Sequence, residues 1–150
     1  YQIIKVYFDG VIYYIRLTIR NDPGAPLSER LSGSTELLEG CARWIVAEEL
    51  YKKSTVTDYS LSGQRIPAIS RADGVKLVKL RSYSSLKGHT LAENISAGRF
   101  QMSSAKGQVL IPLGTDQVKI GDKWVTAPAV IGVVGDEPYI PVEWFIQQGL

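Results

Sequence analysis

A single histidine and a single cysteine limit the chemistry open to this chain. His89 stands in Lys87-Gly88-His89-Thr90 with no second His and no Cys nearby, whereas a transition-metal site needs several such ligands at close spacing. It reads as a solvated loop histidine. To act as a general base it needs an orienting carboxylate, for which Asp73 and Glu93 are the candidates. Cys41 falls between Leu38 and Ile45 on an apolar helical face, which makes it a small buried hydrophobe rather than a nucleophile. Gly107, Gly114 and Gly121 recur at a regular interval, but on turns between strands, and they fit no phosphate-cradling spacing. With no nucleophile, base or metal constellation, the expectation is a protein that is not an enzyme, without catalytic, metal-binding or cofactor-binding residues and without a cofactor.

What remains is chemistry of recognition. Lys76, Lys79, Arg81 and Lys87, with Tyr83 among them, form the most basic stretch and suit an anionic polymer such as a cell-wall polymer. The plainer alternative is a β-edge kept from pairing by its lysines. Trp124, Trp144, Tyr139, Tyr13 and Tyr14 supply aromatic surface for stacking on sugar rings or anchoring a protein interface. A net charge of +2 from well-mixed charges is too small to argue for nucleic acid. No run reaches the roughly 18 to 20 apolar residues that span a bilayer, so no membrane insertion is expected. No signal segment opens the sequence, and the expectation is that any export signal has already gone.

These residues must be positioned by a mainly β framework. Tyr1 to Arg20 reads as a hairpin around Asp9-Gly10. If Phe8 faces Val11, then Val6 faces Tyr13 and Ile4 faces Ile15, which gathers one apolar face and leaves Tyr7 and Tyr14 on the other. Tyr7 and Tyr14, with Lys76, Lys79 and Arg81, are the expected interaction surface. Asn21 to Gly33 is a loop, carrying Asp22-Pro23-Gly24 and Pro26. A helix follows, capped by Ser34 or Thr35, with Leu37, Leu38, Cys41, Trp44, Ile45 and Tyr51 on one face and Glu48 at that stripe's edge. Short strands are expected at Val75 to Leu80, Gln108 to Leu113, Gln117 to Ile120, Lys123 to Thr126 and Val130 to Val134. A short helix is expected from Val142 to Gln148 behind Pro141. Ser54 to Ser104, rich in Ser and Gly, reads as long functional loops. The fold class is therefore α+β, mainly β: an N-terminal hairpin, one amphipathic helix packed on antiparallel sheet, and a short C-terminal helix. The chain reads as a single domain of 150 residues, or as two similar halves (1–53 and 105–150) joined by a loop-rich middle.

One stretch carries a resemblance. Lys119-Ile120-Gly121-Asp122-Lys123-Trp124-Val125, Ala127-Pro128-Ala129-Val130-Ile131, Gly135, and Tyr139-Ile140-Pro141-Val142-Glu143-Trp144-Phe145-Ile146 resemble the copper amine oxidase N-terminal-like (stalk) domain of Gram-positive surface proteins. Ile4 to Gly10 and Arg43 to Leu50 echo it at the front. The sequence departs from the family pattern at Asp136-Glu137-Pro138, which replaces a Gly-Arg-Thr turn, at Glu143, where Arg is usual, and at Ala127-Pro128, where a Pro-Pro pair is usual. The resemblance implies a small β-sheet packed on a helix, used as a surface or stalk module, with no oxidase chemistry.

The functional expectation is a non-enzymatic structural or binding module of an extracellular or cell-surface assembly, working with protein partners or by self-association. The alternative is a self-assembling subunit of an extracellular filament or virus-like particle.

Overall fold

The structure, a computed structural model, describes residues 2–8, 11–17, 40 and 42–150, the first two segments by backbone pairing alone. Strands β1 (Gln2–Phe8) and β2 (Val11–Leu17) pair antiparallel. Val6 opposes Tyr13, Ile4 opposes Ile15 and Phe8 opposes Val11, the register that the alternation requires. Tyr7, opposite Ile12, and Tyr14, opposite Lys5, take the alternate positions. The Asp9-Gly10 turn, the loop from Asn21 to Gly33, the Ser34 or Thr35 cap, Leu37, Leu38 and Cys41 lie outside the described residues.

Helix α1 covers residue 40 and residues 42–50. The chain then runs through β3 (Thr57–Leu61), β4 (Gln64–Ser70), β5 (Lys76–Lys79), α2 (Leu80–Lys87), β6 (Thr90–Asn94), a 3-10 turn (Ile95–Ala97) and β7 (Arg99–Ser104). It continues through β8 (Gly107–Pro112), β9 (Gln117–Ile120), β10 (Lys123–Thr126), β11 (Gly132–Val134), β12 (Glu137–Pro141) and α3 (Val142–Gln147). Among the described residues, β3 to β12 form two five-stranded antiparallel sheets. One is a meander in the order β10-β9-β8-β7-β6, and the other is ordered β11-β12-β5-β4-β3. The mainly β, α+β class is what the sequence calls for.

The meander is one-sided. Phe100 opposes Ile111 and Met102 opposes Val109, all buried in the main core, while Gln101 and Gln108 alternate with them at exposed positions. The second sheet is buried on both faces at its centre. Val78 and Ile140 enter the main core together with the meander, whereas their neighbours Leu77 and Tyr139 join Tyr51, Ile69 and Ala129 in a smaller cluster. This explains why Leu77-Val78 and Tyr139-Ile140 are adjacent buried apolar pairs rather than alternating residues.

The centre of that sheet is also a centre of symmetry. Leu77 pairs with Pro141, Val78 with Ile140 and Lys79 with Tyr139. Moving from Val78 to Ile140 carries Leu77 onto Tyr139 and Lys79 onto Pro141, so the pairing maps onto itself. The same shift carries Leu80, where α2 begins, onto Val142, where α3 begins. It also carries Tyr83 onto Phe145, and these two buried rings meet edge to face with centroids 6.0 Å apart. The local two-fold of an antiparallel pair has thus become the two-fold of two strand–helix units, β5–α2 and β12–α3.

Three expectations are corrected. Ser54 to Ser104 is not a loop region, because it holds β3 to β7 and α2. Most of its serines sit within strands and on α2, and the core is supplied by sparse Leu61, Ile66, Val78, Phe100 and Met102, whose burial comes from the opposing sheet. The run from Val75 to Leu80 ends one residue early as a strand, since Leu80 already starts α2. Ile45, expected on the packed face of α1, is 39% exposed, and Val46 and Ala47 are buried instead. The helix seats closely on two turns: a Cβ on Gly98 would meet Arg43 Cβ at 2.9 Å and one on Gly114 would meet the Arg43 carbonyl at 3.2 Å. That close seating rotates the buried face toward Val46 and Ala47. Trp44 keeps a half-buried place, its indole donating to the Ile95 carbonyl at 2.7 Å with its ring against Phe100. Tyr51 is buried as expected, and Glu48 is exposed at the stripe's edge.

Candidate functional site: an exposed edge and two grooves

The expected basic stretch folds across the junction of β5 and α2, where carboxylates from elsewhere meet it. Arg81 binds Glu93 Oε1 through Nε at 2.5 Å and Glu137 Oε2 through Nη1 at 2.6 Å. Lys79 Nζ lies 3.6 Å from Glu137 Oε1. The Glu93 carboxylate, with Glu137 adding to it, holds Arg81 charged beyond its ordinary range, and the guanidinium in turn holds the Glu93 carboxyl below the usual carboxylate range. Arg81 also sits over the Phe100 ring, with 5.9 Å to the centroid. Arg81 therefore serves first as an internal tie between the two sheets, and Lys79 as a tie between β5 and β12 within one of them. Lys76, exposed, has its ammonium 5.8 Å from the Tyr59 ring centroid. The side chains of Tyr7 and Tyr14 lie outside the described residues.

Tyr83, inside the basic stretch by sequence, is fully buried. Its hydroxyl donates to the Leu150 main-chain oxygen at 2.6 Å, and burial pushes its pKa up to about 12. Below it, Ser84 is buried with its Oγ 3.5 Å from the Met102 sulfur.

His89 is half-buried, its ring 6.5 Å from that of Tyr83, and its Nε2 is enclosed without a hydrogen-bond partner. Loss of solvation, then the charge of Lys87, pulls the imidazole pKa below its ordinary value, so the ring favours the neutral form. Neither candidate carboxylate is shown orienting it. Asp73 is 3.0 Å from Arg71 Nη2 and accepts from the Val75 amide at 3.2 Å, and Glu93 is held by Arg81. Among the described residues no group of His, Cys, Asp and Glu is arranged to hold a metal ion, and no helix is long and apolar enough to cross a membrane.

The aromatic candidates separate clearly. Tyr139 is buried, and burial followed by the nearby Glu137 carboxylate raises its pKa. Trp124, in the middle of β10, is 54% exposed, and β10 closes one side of its sheet with no further strand paired to it among the described residues. Trp144 is half-buried on α3 and lines an open groove of about 370 Å³ with Asp73, Lys76, Pro141, Glu143 and Gln147. A second groove, of about 590 Å³, is lined by Gln64, Lys79, Arg81, Ser82, Ser85 and Leu86.

Trp124 and Trp144 are both visible as aromatics in the sequence, which does not separate the exposed one from the packed one. Glu93 and Glu137, which decide what Arg81 does, were missed as its partners, because they approach from β6 and β12. No family model, curated protein or solved structure matches the chain.

Proposed function

We propose that the chain is a non-enzymatic structural or binding module of an extracellular or cell-surface assembly. The observation that carries this reading is Trp124: a large aromatic, 54% exposed, on the strand that ends its sheet. An exposed apolar edge is a liability on a lone monomer and an asset where another chain covers it. The resemblance to the stalk domain supports the same reading, since its quoted residues span the β9–β10 turn and the strand β12 that runs directly into α3. The partner on this reading is a protein strand, from another chain or a second copy, laid along β10. The same edge also favours the second reading, a self-assembling filament or virus-like-particle subunit, which differs only in whether the contacts close.

Trp124→Ser tests the role of the edge. The substitution sits on the surface and is expected to change stability by no more than about 0.5 kcal/mol. Sedimentation velocity of the wild type is expected to show a concentration-dependent dimer, and the variant is expected to remain monomeric. If the two sediment identically at every concentration, β10 is not the contact.

A further inference from the structure

The two grooves are one groove made twice. The shift that carries Val78 onto Ile140 carries Lys79 onto Pro141, Arg81 onto Glu143, Ser82 onto Trp144 and Ser85 onto Gln147. Each groove lies where a helix leaves the central strand pair, and the two linings have diverged. In the first, the cationic side chains are spanned by Glu93 and Glu137, so its charge is answered within the protein. The second presents an indole, a carboxylate and a carboxamide at the same positions.

We infer that this second groove, beside Trp144, binds an uncharged sugar ring of a glycan chain. Trp144 is held by Phe145, its ring centroid 5.5 Å away at 65°, and by packing on the main core. An aromatic ring held in this way offers an apolar platform for the C–H face of a pyranose. Glu143 and Gln147 stand one helical turn apart on α3, both exposed, flanking Trp144 in sequence. A carboxylate accepts two hydroxyl hydrogen bonds, and a carboxamide donates and accepts together, which suits the edge of a polyol. Lys76 offsets Glu143 in the lining and Arg71 pairs with Asp73, so the groove carries no net field to select a charged ligand. A groove of about 370 Å³ falls in the range of small-ligand sites and holds one or two sugar rings.

This rests on the chain being a non-catalytic binding module, but uses a surface distinct from the Trp124 edge. The test is a titration of the isotope-labelled protein with cellohexaose, chitohexaose and xylohexaose to ~5 mM, followed by amide and indole NMR shifts. At least one sugar is expected to move the Trp144 indole and the Gln147 carboxamide while leaving the Trp124 indole in place. Gln147→Ala and Glu143→Ala, both at exposed positions, are each expected to weaken that binding about threefold, and Trp144→Ala at least about tenfold. If Trp144→Ala fails to fold, the two exposed variants carry the test. The proposal is overturned if none of the three sugars moves the Trp144 or Gln147 signals, or if both exposed variants bind as the parent does. New reducing ends in the bound mixture sink the non-catalytic reading while leaving the groove's ligand in place.

Discussion

Tyr83→Ala is expected to lower the unfolding free energy by about 4 kcal/mol, the middle of the range for an aromatic side chain removed from a packed core. Tyr83 is fully buried at the symmetry centre, edge to face with Phe145, and its hydroxyl reaches the main-chain oxygen of Leu150. Truncation removes the ring that one strand–helix unit offers to the other and leaves the Leu150 acceptor without its buried donor. Tyr83→Phe separates the two effects, because it keeps the ring and loses only the hydrogen bond, with an expected cost of about 1.5 kcal/mol. Urea denaturation of both variants measures this. A cost below about 1 kcal/mol for the alanine variant would mean that the two units do not share a core through this ring.

Gly132→Ala is expected to cost about 3 kcal/mol, a single methyl with the effect of a severe overpacking. Gly132 opposes Tyr139 on β12 and lies under the ring of Tyr51, where an added Cβ would overlap Cδ2 and Cε2. That ring has little room to retreat. Tyr51 is 7% exposed, its hydroxyl donates to the Val130 carbonyl at 2.7 Å, and it packs with Leu77 and Tyr139 on the far face of the central sheet. In a Tyr51→Ala background the same substitution is expected to cost less by at least about 1 kcal/mol, since the clashing ring has gone. Strict additivity of the two changes in thermal or urea melts would show that Gly132 is constrained by something other than Tyr51.

Where neighbouring residues decide the structure, the sequence was informative. The β1–β2 register follows from side-chain alternation, and β9, β10 and α3 fall close to the runs that turn signals isolate at Gly121-Asp122 and Pro141. Where burial depends on a distant partner, the local pattern was silent. β3, β4 and β7 each contribute only a few core side chains between serines, glutamines and charges, and β6 only the half-buried Leu91, and they become strands because the opposing sheet and helices cover those few. Ile45 shows the same limit inside a helix: periodicity gives a stripe, but the close seating of α1 on Gly98 and Gly114 decides which side of it is covered.

The candidate site divides in the same way. Lys79 and Arg81 were visible as charges, but their engagement by Glu93 and Glu137 depends on β6 and β12 arriving beside β5 and α2. Trp124 and Trp144 were visible as aromatics. Their difference in exposure follows from one lying on a closing strand and the other leaning on Phe145. The equivalence of Tyr83 and Phe145 was hidden because the repeat conserves a geometry, strand running straight into helix, rather than a residue motif.

The most direct test of the binding-module reading is the size of the purified chain in solution, followed by multi-angle light scattering from low to high micromolar concentration, with negative-stain microscopy of the same samples. A module that uses one closing edge is expected to pass from monomer to a two-fold dimer as concentration rises, with no larger objects on the grid. Mass that climbs without limit, together with filaments or shells under the microscope, would contradict that reading and make the chain a lattice subunit.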